Sequence, residues 1–320
     1  MFATYNYSAN GTQQNVLDDL IAILTGETNV NNLSATCNKG ATSITATIPA
    51  GWTLHDVSAG TVTKVIKAPL ADDATRFKYV GIIADNGGSG ALQTNVWEAW
   101  DAVNHAGTNK AYGSDVSNSS QRMSQTSAGK LLVSGTVYLF ATARYLMLCT
   151  NVNGNWGSPI NNGPCGCFER TRFCPWDTVA AGYPTFVFIN LGDISASTTG
   201  TAAYATSLID KNRVAYTGST ASLYVYAGTL GTPYWLFQWL NGADQKTPDA
   251  GSGFTVPFFP LTLVNNTYMP APYGEISSLC DVWAIPQGVA NQGETIQKNG
   301  VDYFCLTVMN STKIFVARRE

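Results

Sequence analysis

Thr136-Val137-Tyr138-Leu139-Phe140-Ala141-Thr142 and, just beyond Ala143-Arg144, Tyr145-Leu146-Met147-Leu148-Cys149-Thr150 decide the fold class. Both runs are short, the first rich in β-branched and aromatic residues and the second almost wholly apolar, so they read as two strands. The apolar stretch from Val137 to Cys149 is broken by Arg144 and is too short to span a bilayer, so no membrane insertion is expected. The same texture continues downstream. Further strand candidates are Leu131–Ser134, Thr185–Asn190, Leu223–Ala227, Tyr234–Leu240, Thr255–Phe259, Val282–Ile285, Asp302–Val308 and Lys313–Ala317. Asn161-Asn162-Gly163, Asn241-Gly242 and Asn299-Gly300 supply turn signals. No helix-length periodic segment stands out here. Residues 131–320 are therefore expected to form the larger domain of a mainly β protein, an antiparallel β-sandwich or barrel-like body.

Upstream the pattern is mixed. Leu17, Leu20, Ile21 and Leu24 recur at helical spacing between Thr12, a capping residue, and Gly26, a stop. This stripe is a packing face, toward its own domain or a neighbouring subunit. Ser43–Ile48, Thr61–Ile66 and Arg76–Ala84 read as strands. Asn95–His105 places Val96, Trp97, Trp100 and Val103 at helical spacing and predicts a second, short helix. Residues 107–130, dominated by Gly, Ser, Thr, Asn and Gln, read as a polar loop or linker. Residues 1–106 are then a small α+β attachment domain.

Composition narrows the function classes. Of 320 residues only 12% are charged, with 18 Lys and Arg against 21 Asp and Glu, for a net charge of -3. Ordinary domains carry about 25%. Phosphate neutralisation needs clustered cations, so no nucleic-acid partner is expected. No phosphate-cradling glycine loop followed by Lys is present, and no cofactor is expected. Met1-Phe2-Ala3-Thr4-Tyr5-Asn6 lacks the basic start and apolar run of a signal peptide, so synthesis in a cytoplasm is expected.

The chain has 7 cysteines and 2 histidines, His55 and His105. Cys149, Cys165, Cys167, Cys174, Cys280 and Cys305 are candidates for disulfides or structural thiols. The one-residue gap in Cys165-Gly166-Cys167 is tight for two ligands of one zinc ion and for a local disulfide. Cys280 and Cys305 fall in segments that could neighbour each other, which makes a cross-strand bridge geometrically plausible. Reduced, buried thiols are the equal alternative.

Phe168-Glu169-Arg170-Thr171-Arg172-Phe173-Cys174-Pro175-Trp176-Asp177 is the densest mixture of charge and aromatics. Glu169 and Asp177 could serve as a carboxylate pair of the glycosidase kind. With Arg170 and Arg172 so close, an arginine–carboxylate network that fixes a loop or a subunit contact is the favoured reading, because a general acid must hold a proton. No catalytic residue is assigned. Trp235 and Trp239, in Tyr234-Trp235-Leu236-Phe237-Gln238-Trp239, share a face if this is a strand. Such platforms serve sugar binding and protein interfaces, and the core or interface reading is favoured. The candidate interface set is Leu17, Leu20, Ile21, Leu24, Glu169, Arg170, Arg172, Trp235 and Trp239.

The whole-chain texture resembles virion structural proteins of tailed bacteriophages, of the neck, collar, tail or baseplate type. The likeness rests on the low charge, the Asn/Ser/Thr/Gly-rich β character and the ending, Asn299-Gly300-Val301-Asp302-Tyr303-Phe304 followed by Lys313-Ile314-Phe315-Val316-Ala317-Arg318-Arg319-Glu320. The resemblance implies a non-enzymatic subunit that assembles with itself and with other virion proteins into a symmetric multimer, made in the host cytoplasm and working in the particle. A fibre or decoration protein that binds host surface glycan, and a polysaccharide depolymerase, are the alternatives.

Overall fold

The computed structural model describes residues 2–7, 13–26, 51–57, 63–71, 73–84, 92–110, 122–124, 135–152, 155–156, 165–169, 186–190, 203–208, 223–227, 258–265, 271–285, 290, 293–307 and 314–318. Chain order opens with strand β1 (Phe2–Tyr7) and helix α1 (Gln13–Thr25). Then come β2 (Thr53–Val57), β3 (Thr63–Pro69), β4 (Phe77–Ala84), β5 (Leu92–Asp101), β6 (Ala106–Lys110) and β7 (Arg122–Ser124). They are followed by β8 (Gly135–Thr142), β9 (Tyr145–Val152), β10 (Asn155–Trp156), β11 (Cys165–Glu169), β12 (Phe186–Asn190), β13 (Ala203–Leu208) and β14 (Leu223–Ala227). The rest is β15 (Phe259–Asn265), β16 (Ala271–Glu275), α2 (Ser277–Cys280), β17 (Val282–Ile285), β18 (Thr295–Lys298), β19 (Val301–Thr307) and β20 (Ile314–Arg318). The protein is mainly β, as the strand runs implied, and every strand pair is antiparallel.

Two sheets result. The smaller runs β2-β3-β4-β5-β6, with β7 on the other end of β5. The larger runs β1-β8-β9-β11-β12-β13-β14-β15-β17-β20-β19-β18, with β10 beside β9 and β16 beside β15. β1 joins the larger sheet by pairing with β8, from Phe2 opposite Phe140 to Tyr7 opposite Gly135. The segment 1–106 therefore feeds both sheets.

Helix α1 lies on β2, β3 and β4 of the smaller sheet. Leu17, Leu20, Ile21 and Leu24 are each fully buried there. These four positions thus serve internal packing and are withdrawn from a subunit interface. Gly26 ends the helix as expected: its φ is 73°, a conformation cheap only for glycine, and its N–H donates to the Ala22 carbonyl at 2.7 Å. Thr12 lies outside the described residues.

Two expectations are corrected. Asn95–His105 is not a helix: Leu92–Asp101 is strand β5, and a turn follows. The spacing by three was coincidental. Val96 sits opposite Val80, the Trp97 and Trp100 rings pack at 4.6 Å, and Val103 is 86% exposed at the turn tip. Nor is 107–130 wholly a loop, since β6 and β7 extend the sheet into it. The small residues that suggested a linker have a packing reason in β6. The Trp97 indole lies across Gly81 and Gly107, and a methyl group at either would collide with the ring.

In β9, Tyr145, Leu146, Met147, Leu148 and Cys149 are all buried, so both faces of the strand are covered. That is why the run reads as continuously apolar rather than alternating. β11 packs beside it with Cys165 opposite Leu148 and Phe168 opposite Tyr145. Gly166 explains the one-residue gap between the cysteines. A side chain there would strike the Leu146 main-chain carbonyl, so only glycine permits the approach. Cys149, Cys167, Cys280 and Cys305 are all buried, and the suggested Cys280–Cys305 bridge is absent. Cys280 closes α2 whereas Cys305 belongs to β19, so the two are not cross-strand partners. The Asn299-Gly300 turn is present, with φ of 53° and 77°, and joins β18 to β19.

Candidate functional site

The two sheets meet at Glu169, the last residue of β11. The turn between β8 and β9 brings Arg144 beside it, and the Glu169 N–H donates to the Arg144 carbonyl at 2.8 Å. The flanking Tyr145 and Phe168 rings stack at 5.8 Å with planes 9° apart. This fixes the direction in which the glutamate leaves the sheet.

The carboxylate then reaches the smaller sheet. Lys78, fully buried on β4, donates from Nζ to Glu169 Oε2 at 2.8 Å and to the Pro69 carbonyl at 2.7 Å. The Ala71 N–H donates to Oε1 at 2.7 Å. Arg144 adds Nη1 contacts to Oε2 at 3.5 Å and to the Pro69 carbonyl at 3.2 Å. Each carboxylate oxygen and the Pro69 carbonyl has a donor, which is the condition for a buried ion pair to hold its place. Burial pulls the Lys78 ammonium below its usual pKa, and Glu169 opposes that pull.

Neighbouring contacts close the junction. The Trp52 indole N–H donates to the Thr142 carbonyl at 2.8 Å, and its ring faces the Lys78 ammonium at 5.7 Å. The Cys280 thiol donates to the Glu169 carbonyl at 3.3 Å, tying in α2. Burial, foremost, raises the Cys280 pKa and keeps it protonated. α2 is itself held by Ser277, whose Oγ accepts from Leu261 N–H at 2.7 Å and donates to the Val282 carbonyl at 2.6 Å.

Chemically, this cluster is a fastening. Glu169 is 4% exposed and committed to three donor groups. The sequence pointed to a network at Glu169, and one exists. Among the described residues its cations are Lys78 and Arg144, both missed. The available signal was a charge inside each strand region: Lys78 within Arg76–Ala84 and Arg144 between two apolar runs. Arg170, Arg172, Cys174, Asp177, Trp235 and Trp239 lie outside the described residues, and of Cys165 only the main chain is described.

A second cluster gathers both histidines around Trp100. His105 Nδ1 is 2.9 and 3.1 Å from the two oxygens of Asp56, which is buried on β2. The Trp100 indole N–H donates to the same carboxylate at 2.7 Å, and His55 Nε2 lies 3.3 Å from the Trp100 carbonyl. A register shift between Leu54 and Asp56 marks a bulge at His55. His105 has φ of 51°, and Asp101 braces the turn before it by accepting from the Val103 and Asn104 N–H groups at 2.8 and 3.1 Å. A carboxylate-held imidazole can act as a general base. Here the contacts of His105 and Asp56 clamp the β5–β6 turn onto β2. Among the described residues, no group of three His, Cys, Asp or Glu could hold a metal ion, and no helix is long and apolar enough to cross a membrane.

Comparison of the chain with models of known protein families and with curated proteins gives no match.

Proposed function

We propose that the chain is a non-enzymatic structural subunit of a tailed-bacteriophage virion, part of a symmetric multimer in the neck, collar, tail or baseplate. The observation that carries this reading is how the chain uses its few charges. With 12% charged residues, it places Lys64, Lys78, Asp18, Asp56 and Glu169 in buried positions. Those five side chains are withdrawn from any surface that a neighbour could cover. A surface of amides and hydroxyls has few ions to desolvate when neighbours cover it, whereas a lone soluble domain relies on surface charge. The Glu169 junction supports the same reading, since a load-sharing subunit needs its two sheets to move as one.

Mass photometry of the purified chain, followed by electron microscopy of the assembly, tests this. A closed multimer of fixed stoichiometry is expected, and a stable monomer at micromolar concentration would sink the proposal. Release of reducing ends from a host polysaccharide would instead favour the depolymerase reading.

A further inference from the structure

Strand β2 stands at one end of the smaller sheet and β6 at the other, and among the described residues no ladder joins them. The two ends nevertheless meet. The bulge at His55 bends β2. The Asp56 carboxylate then reaches the Trp100 indole N–H at 2.7 Å and His105 Nδ1 at 2.9 and 3.1 Å. His55 Nε2 lies 3.3 Å from the Trp100 carbonyl. The sheet is thus curled, and among the described residues its seam is made by side chains rather than by a main-chain ladder.

β2 has little else to hold it there. Of its five residues only Asp56 is buried, whereas Leu54, His55 and Val57 are half-buried and Thr53 is exposed. An end strand without a fully buried apolar side chain belongs to the low-stability part of a fold. Beyond its ladder with β3 and its contact with α1, its hold is the carboxylate, and a buried carboxylate keeps its place only with its donors. Trp52, one residue before β2, is fixed separately by its indole N–H on the Thr142 carbonyl. The strand therefore has an anchored start and a detachable middle. On the facing side, His105 holds a φ of 51°, which costs a residue with a side chain and is relieved once the turn lets go. Asp101 braces the turn from within through Val103 and Asn104, so the turn moves as a piece.

We propose that the Asp56 contacts are a latch, and that β2 and the β5–β6 turn part and rejoin as one local unit while the Lys78–Glu169 junction stays closed. Opening hydrates the Asp56 carboxylate and frees β2 to fray from β3. The latch gives the smaller sheet a place to change shape without loosening its fastening to the larger one. It goes beyond the assembly reading and does not depend on it.

Hydrogen exchange of the full-length chain, read by mass spectrometry of its peptides, tests this. His105→Asn removes the imidazole and keeps a residue that accepts a positive φ, so the fold should survive. Exchange is expected to rise at least 10-fold in both 53–57 and 101–110, with 137–149 at the parent rate. Trp100→Phe, which loses the indole N–H and keeps a ring, and Asp56→Asn should act on the same two segments. A rise confined to one of the two segments would make the contacts a brace of that segment alone and overturn the latch. So would an equal rise in 137–149, which would mean that the whole fold opens, or no change in any segment.

Discussion

Lys64 and Lys78 sit on neighbouring strands of the smaller sheet, and the side chains of both are fully buried. Their surroundings differ. Lys78 has a carboxylate at 2.8 Å and a carbonyl at 2.7 Å, in a network that reaches into the other sheet. Lys64 faces α1, with Asp18 Oδ1 at 3.9 Å and no hydrogen-bond partner for its Nζ among the described residues. Burial lowers both ammonium pKa values as the first cause, and the nearby carboxylate opposes it in each case. A buried charge is tolerated at both places, but only at Lys78 does the geometry repay the desolvation. The difference separates a pair that fastens two sheets from one that merely fits beneath a helix.

The largest expected effect comes from breaking the better pair. Glu169→Ala leaves Lys78 buried without its carboxylate and should lower stability by about 3–5 kcal/mol, read from urea unfolding midpoints. A loss below about 1 kcal/mol would mean that the junction does not fasten the sheets.

Replacing each pair with apolar residues sharpens the contrast. Lys78→Met with Glu169→Leu strands the Ala71 N–H and leaves Arg144 and the Pro69 carbonyl with only their contact to each other, and should lower stability by about 2–3 kcal/mol. Asp18→Leu with Lys64→Met removes an ammonium that has no hydrogen bond among the described residues, and should cost about 1 kcal/mol or less. Equal losses at the two places would erase the distinction.

Gly107→Ala tests the other end of the smaller sheet. Pressing a methyl group into the Trp97 indole should lower stability by about 1–2 kcal/mol, without uncoupling the sheets. Far-ultraviolet circular dichroism and unfolding of the variant check both parts.

The smallest effect is on pH dependence. Because burial lowers the two lysines below 10.5, the folded chain sheds protons before the unfolded chain does as pH climbs toward 10.5, and this component of stability rises. Cys305 acts in the opposite sense. Burial pushes its thiol from 9.0 up to about 12, so the stability it contributes is complete below pH 9 and is lost as pH rises toward 12. Urea midpoints between pH 8 and 10.5 should fall less steeply in Cys305→Val, and should lose part of their rising component in the Asp18→Leu, Lys64→Met variant.

The strand runs were legible because their apolar content does not depend on partners: β8, β9, β17, β19 and β20 fall close to the positions their residues suggest. Asn95–His105 misled because spacing by three mimics a helix when a strand runs into a turn. β6 and β18 were hidden because edge strands can be small or polar, which composition reads as loop. At the junction, Glu169 was visible as an unusual charge, but its partners were not. Lys78 is 91 positions away and Arg144 is 25, and only strand register brings them together.

A double-mutant cycle between Lys78→Met and Glu169→Gln, with single and double variants unfolded in urea under identical conditions, tests the joining of the two sheets most directly. A coupling of about 2 kcal/mol or more is expected from a buried, hydrogen-bonded pair shared by both sheets. Single-variant losses that add to within about 0.5 kcal/mol would contradict it.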